Sequence, residues 1–299
     1  MKVVLFGASG YLGRAADEVL RARGARVVRV SRTAPRDNGW VRHDLMRDGT
    51  DELVSLLGSI VPDAVVNCTG LLDGTTAELV AANVTPTAAL LDAIQVAAPS
   101  ARLVALGSAA EYGPVPHGSA VAENAAPNPT SCYGITKLAS TLLVRDAVVA
   151  GRLDGVVLRV FNPIGADLPY GTVLGRAAEA IRTALRKGGD ITLGPLGAYR
   201  DFVDVADVAG AIADAAFAPA LPEPVLNVGS GRAVAVRDVV AMLAEVAGFR
   251  GEVRESDPVH SRSSAVTWIA ADTTRVSRAL GWSPHQDLTT SVQAVWQNV

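Results

Sequence analysis

The sequence predicts an α/β chain: a doubly wound parallel sheet joined to a smaller, discontinuous C-terminal α/β domain. Strand and helix signals alternate as far as about residue 160, the pattern of a parallel sheet with crossover helices. The strand segments, such as Val3-Val-Leu-Phe6 and Val156-Val-Leu158, are continuous apolar runs, as required when helices cover both faces. At 299 residues the chain can hold one larger and one smaller unit.

The first strand runs straight into Gly7-Ala-Ser9-Gly10-Tyr11-Leu12-Gly13, and a helix follows over 14–23. Glycines there permit a tight turn, close approach of a pyrophosphate and close packing of helix on strand. The helix N-terminus offers free N–H groups to phosphate. Between strand and helix, this turn meets the context of a Rossmann-type dinucleotide site. The second strand, 25–30, ends in Ser31-Arg32. An NAD site usually has a carboxylate near this point for the ribose 2′-hydroxyl. A hydroxyl and a guanidinium instead suit a 2′-phosphate, through forked, charge-assisted bonds. Arg14 offers a second cation. The expected cofactor is NADP(H), favoured over NAD.

A third strand precedes Asp44-Leu45. A fourth, within 62–67, ends in the small residues Cys68, Thr69 and Gly70, and Asn83 lies in the next helix. A fifth strand delivers Ser108 into a loop. The next helix, 133–150, has Ile135, Leu138, Leu142, Leu143 and Val144 at helical spacing. It carries Tyr133 and, four residues on, Lys137, one of only three lysines. Residues i and i+4 share a helix face. A neighbouring ammonium favours phenolate, drawing a phenol from its usual pKa of ~10 toward working pH. Tyr133 thereby becomes a usable acid or base. Ser108, 25 residues before it, can orient a carbonyl and stabilise its developing negative charge. Taken singly, each of these residues also fits an ordinary structural role.

Further motifs follow in order: Arg159-Val-Phe-Asn162-Pro-Ile-Gly165, Tyr199-Arg-Asp-Phe-Val-Asp-Val205, Asn227-Val-Gly-Ser-Gly231 and Leu280-Gly-Trp-Ser-Pro284. With the glycine-rich turn and the Ser-Tyr-Lys set, they resemble the extended short-chain dehydrogenase/reductase family (NAD-dependent epimerase/dehydratase type). The segments 107–113 and 200–205 are most similar to GDP-4-keto-6-deoxy-D-mannose reductases. The resemblance implies that Ser108, Tyr133 and Lys137 are catalytic, with Lys137 also holding the nicotinamide ribose. It implies Asp44 and Leu45 beside the adenine, and Cys68, Thr69, Gly70 and Asn83 along the cofactor. Ala109 and Ala110 would join Ser108 against the substrate, with Asn162, Arg200 and Arg262 at a sugar diphosphate. Two departures stand out. Gly165-Ala-Asp-Leu168 replaces the usual Gly-Pro-Gly-Gln, and Ser263 replaces a proline that often follows the arginine. Arginine is the default cation of this chain, so Arg262 also reads as a plain surface charge.

Dehydratases of this family need a carboxylate two residues before the tyrosine of the serine loop. Ala110 stands there, and Glu111, one residue along, is expected to point the opposite way. Ser31-Arg32 argues against an NAD-retaining epimerase. The expectation is an NADPH-dependent ketoreductase acting at C4 of a nucleotide-linked 4-keto-6-deoxyhexose. Alternatives, in order, are a nucleotide-sugar 4-epimerase, a ketoreductase of a non-sugar natural-product ketone, and a non-catalytic NADP-binding sensor.

Residues 1–161 and 199–221 are expected to form the cofactor domain, and 162–198 and 222–299 the substrate domain. In this scheme 201–217 return a strand and a helix to the main sheet. The loop 114–129 has the length of a functional lid. Net charge of −3 offers no basic stripe for nucleic acid, and no apolar run is of membrane length. The first strand begins at residue 2, which leaves no room for a signal peptide. Two cysteines suit a reducing, cytoplasmic setting, and four histidines lack metal spacing. A homodimer through helices near 77–98 and 133–150 is a further implication of the resemblance.

Overall fold

Seven parallel strands form the central sheet of the computed structural model, which describes residues 1–33, 39–256 and 265–298. The chain enters through β1 (Lys2–Phe6), α1 (Tyr11–Ala22), β2 (Arg26–Ser31), β3 (Trp40–Arg42), α2 (Thr50–Ile60) and β4 (Ala64–Asn67). A short α3 (Thr76–Leu79) continues through a π-helical turn, Val80–Val84, into α4 (Thr85–Ala97). Then follow β5 (Arg102–Ser108), the two-residue β6 (Ala120–Val121), α5 (Cys132–Val149), β7 (Gly155–Val160) and β8 (Asn162–Ile164). The remainder is α6 (Val173–Lys187), β9 (Ile191–Leu193), β10 (Tyr199–Asp204), α7 (Val205–Phe217), β11 (Val225–Val228), β12 (Ala233–Ala235), α8 (Val236–Val246), β13 (Val253–Glu255), β14 (Ala270–Ala271), α9 (Thr274–Leu280) and α10 (Leu288–Gln297).

The sheet order is β11-β7-β5-β4-β1-β2-β3. It reverses direction between β1 and β4, and ligands of such sheets bind at the C-terminal strand ends beside that point. Strand side chains alternate faces. Val3 and Leu5 pack on one side with Leu20, Val208 and Ile212, while Val4 and Phe6 pack on the other with Leu57, Leu90 and Ile94. Both faces are therefore dry, which is why the strand sequences read as unbroken apolar runs.

The expected return of a strand at 201–217 needs correction. Helix α7 does cover the main sheet, but β10 pairs with β8 and β12 in a separate three-stranded sheet. The strand that rejoins the main sheet is β11, which lies beyond the expected boundary at 222. The reason is chemical. Val225, Leu226 and Val228 suit a doubly covered strand, whereas the Asp201 carboxylate of β10 is held by distant N–H groups of Ser230, Gly231 and Ala271. A third core, with Ile164, Leu174, Ile181, Phe202, Val239 and Leu243, fills this second region. The loop 114–129 is not structureless: β6 pairs in parallel with β14.

The continuous helical stretch Thr76–Ala97 has the length and mean hydropathy, 1.3, of a membrane span, and half of it is buried within the fold. Ala82, Leu90 and Ile94 contribute to that burial.

Candidate active site

The glycine-rich turn leaves no room for side chains. Gly7 has φ +75°, and a β-carbon there would stand 2.8 Å from the Cys68 carbonyl carbon. The Gly10 N–H donates to the Gly7 carbonyl, 2.9 Å, and the chain then enters α1. No side chain caps that helix and its first turn holds no acid, so its N–H groups face the cleft ready for an anion. At the end of β2, Ser31 is buried and its hydroxyl is without a hydrogen-bond partner. A close glycine cradle, an uncapped helix start and an orphaned hydroxyl at the ribose position fit a dinucleotide. Arg32 beside Ser31 is exposed.

Arg14, the second cation of the sequence reading, pairs with a carboxylate from beyond β8. Its guanidinium donates to the Ser9 carbonyl, 3.0 Å, and to the Asp167 carboxylate, 3.3 Å, across the cleft. Asp167, in the departing segment 165–168, has φ +59°. Arg14 is thus tied to the substrate side. Asp44 accepts from the Met46 N–H, 3.0 Å, and Leu45 packs in the core with Phe6 and Val30. The Asn83 side chain is fully engaged. It accepts from Leu71 N–H, 2.8 Å, and donates to the Leu71 carbonyl and to Thr136, each 3.0 Å. It clasps the loop after β4 to α5. In that loop, Thr69 donates through N–H and hydroxyl to Asn67, and Gly70 comes so close to Asn83 that a β-carbon would lie 3.1 Å from its Oδ1. Burial pushes the Cys68 thiol up to about 12.

Ser108 ends β5 and caps the short turn Ala109–Glu111, accepting from the Ala110 N–H at 3.2 Å. The first turn of α5 lies directly on this turn: a β-carbon on Gly134 would meet the Ala110 carbonyl oxygen at 2.5 Å. Tyr133 is half-buried there, and Ser131 caps the helix through the Gly134 N–H, 3.1 Å. One turn on, Lys137 is buried and its ammonium donates to the Leu106 carbonyl, two residues before Ser108. Burial lowers the Lys137 pKa, and the Glu111 charge opposes that shift. Polar side chains of Asn67, Thr69, Asn83, Ser140 and Thr141 share with Lys137 a cavity of about 10 Å³, room for one water. Ser108, Tyr133 and Lys137 therefore come from two elements packed on one another at the strand ends.

The sequence pattern of the NAD dependent epimerase/dehydratase family matches residues 3–229. The chain belongs to that family. This family member is 37% identical to dTDP-6-deoxy-L-talose 4-dehydrogenase (NAD(P)(+)) of Kitasatospora kifunensis, across 99% of this chain and 94% of the relative. It is 26% identical to GDP-6-deoxy-D-mannose reductase of Pseudomonas aeruginosa, across 85% and 84%. The UDP-glucose 4-epimerase of Thermus thermophilus, solved with NAD, superposes with a TM-score of 0.86 at 26% identity, across 100% and 98%. Membership of the epimerase/dehydratase family supports a nicotinamide dinucleotide as the cofactor.

On the substrate side, Asn162 opens β8 and donates to the Asp201 carbonyl, 2.9 Å. Arg200 is buried, donates to the Tyr199 carbonyl at 2.8 Å, and is pushed down to about 10 by that burial. Ala109 is buried and Ala110 half-buried beside Ser108. Arg262 lies outside the described residues. Sequence reasoning missed Asp167 and Asp201. The buried Asp201 carboxylate accepts from Ser230 and Gly231 N–H groups and from Ala271 N–H, at 2.7, 3.0 and 2.9 Å. Its only sequence signal is its place after Arg200. Among the described residues, His43, Asp48 and Glu52 bring potential ligand atoms within 4.8 Å of one another, a grouping that spacing did not foretell. Asp48 there already accepts from the Asp44 N–H, 2.8 Å, and pairs with Arg42, 3.3 Å.

Proposed function

We propose that the protein is an NADPH-dependent reductase of the C4 ketone of a nucleotide-linked 4-keto-6-deoxyhexose. The observation that carries this reading is Lys137: buried one helical turn from Tyr133 and bonded to the strand that ends in Ser108. Gly7, Gly10 and Gly13 would receive the pyrophosphate, and Ser31 with Arg32 the 2′-phosphate. Bound there, the nicotinamide supplies the hydride. Tyr133 donates the proton to the oxygen as charge develops on it, and Ser108 holds that oxygen in place. Lys137 keeps positive charge beside the phenol, which favours proton release. The second domain would supply Asn162, Arg200 and Arg262 to the diphosphate. Relatives named as a 4-dehydrogenase and a reductase of nucleotide-linked 6-deoxyhexoses support this substrate class, and the 4-dehydrogenase, matched over 94% of its length, supports a dTDP-linked sugar. Exposed Val80, Ile135, Leu142 and Leu143, on the two helices expected to pair, support a homodimer.

The test is loss of NADPH absorbance with dTDP- and GDP-4-keto-6-deoxyhexoses, with NADH as control. Oxidation with one of them supports the reductase and names the nucleotide. The NAD-bound epimerase likeness favours a second reading, a nucleotide-sugar 4-epimerase. Tightly copurified NAD, with no net NADPH oxidation, is its signature.

A further inference from the structure

Behind Ser108 lies a carboxylate that the proposed reaction does not use. Glu111 is fully buried, with 0% of its surface exposed. Its Oε1 accepts from the Ser108 N–H at 2.8 Å and from the Thr141 hydroxyl at 2.9 Å, and its Oε2 accepts from Arg159 Nε at 2.7 Å. These donors come from the end of β5, from α5 and from β7. Gly107 provides the space: a β-carbon there would stand 2.6 Å from Glu111 Oε1 and 3.1 Å from Arg159 Cγ. Arg159 in turn lies over the Tyr112 ring, 4.7 Å from its centroid, and donates to the Glu123 carbonyl at 3.3 Å. A buried ion pair with all of these partners is a rigid element, because breaking it would leave a charge without compensation.

We propose that Glu111 is a positioning residue of this site. Its carboxylate locks the main chain of Ser108 to the helix that carries Tyr133 and Lys137, so that hydroxyl, phenol and ammonium keep one geometry. This rests on the reading of those three residues as the reacting site. It is fully buried and both of its oxygens accept from donors of the protein, so it holds the site rather than touching substrate. The charged and titratable groups around it are Arg159 from β7 and Lys137 from α5, with Cys68 beside Lys137 and Tyr112 and Glu123 beyond Arg159. Removing one negative charge from this group makes every nearby acid release its proton more readily.

The experiment compares kcat, KM and their pH profiles for the whole enzyme and for Glu111→Gln, Glu111→Asp and Thr141→Val, with NADPH affinity read by fluorescence. Glu111→Gln is expected to lower kcat about 100-fold, the scale of a small misplacement of reacting groups. NADPH affinity stays near wild type, and the alkaline limb of the kcat profile moves to lower pH. Glu111→Asp keeps the charge, so that limb returns to its wild-type position while kcat remains reduced. If Glu111→Gln does not fold, Thr141→Val decides: it removes one donor, leaves the ion pair and lowers kcat with unchanged KM. Wild-type kcat and pH profile in each folded variant, with only the melting temperature lowered, overturns the proposal. Tyr133→Phe is the control. If it turns over normally, the reading of the reacting site has failed instead.

Discussion

A β-carbon on Gly13 would stand 2.0 Å from the carbonyl oxygen of Gly7. Helix α1 can start beneath the cofactor loop only because neither residue has a side chain there. Gly13→Ala is expected to cost about 1–3 kcal/mol, as an overpacked core position does, and to weaken NADPH binding. Gly58, inside α2, is the contrast, since its nearest neighbour would be the Ala97 β-carbon at 3.9 Å. Gly58→Ala should add about 0.5–1 kcal/mol through helix propensity. Thermal melts and fluorescence titration check both.

Tyr133→Phe should lower kcat by about 10²–10⁴, the worth of a positioned proton donor, and leave NADPH affinity unchanged. Stopped-flow turnover beside a binding titration tests this. Retained activity would reassign the proton donor.

Arg32→Ala should raise the KM for NADPH about tenfold or more, the scale of a lost charge-assisted contact, and leave that for NADH little changed. Equal effects on the two cofactors would remove Arg32 from the 2′-phosphate site.

Asp167→Asn should barely alter stability, because the Arg14–Asp167 pair is exposed and such pairs contribute little. It also takes a negative charge away from the cofactor cleft. NADPH affinity should rise a few-fold at low salt, with the gain shrinking as salt screens it. An unchanged or lower affinity at low salt would mean that Asp167 does not face the phosphates.

The two cysteines should differ sharply toward a thiol reagent. Cys132 is exposed, whereas Cys68 is half-buried and desolvation pushes its thiol up to about 12. Only the thiolate reacts. Above its folded pKa the thiol would ionise, so at mildly alkaline pH Cys68 stays protonated. One equivalent should react quickly, and the second only on unfolding. Two fast equivalents would contradict this burial.

Most of the main sheet was legible because its strands are buried on both faces and carry that in apolar runs. Helical spacing and a family likeness suggested the Ser108, Tyr133 and Lys137 set, and the turn after Ser108 packs on the first turn of α5. What escaped depends on contacts between distant segments. Nothing local marks β10 as leaving the large sheet, since Phe202-Val203 is as apolar as a core strand. Asn83 reads as a cofactor ligand from its place in the chain, and its bonds to Leu71 and Thr136 could not be read there. Arg14 reads as a phosphate cation, and its exposed pairing with Asp167, 153 residues away, could not be read from its neighbours. The pairing of Glu111 with Arg159, 48 residues on, was unforeseen.

The most direct test of the central claim follows a deuterium label from NADPH carrying deuterium at both C4 positions of the nicotinamide into a dTDP-linked 4-keto-6-deoxyhexose. The account predicts one deuterium at C4 of the sugar product, matched mole for mole by NADP formed. Product formed without label, or sugar interconverted with no net oxidation of NADPH, would contradict it.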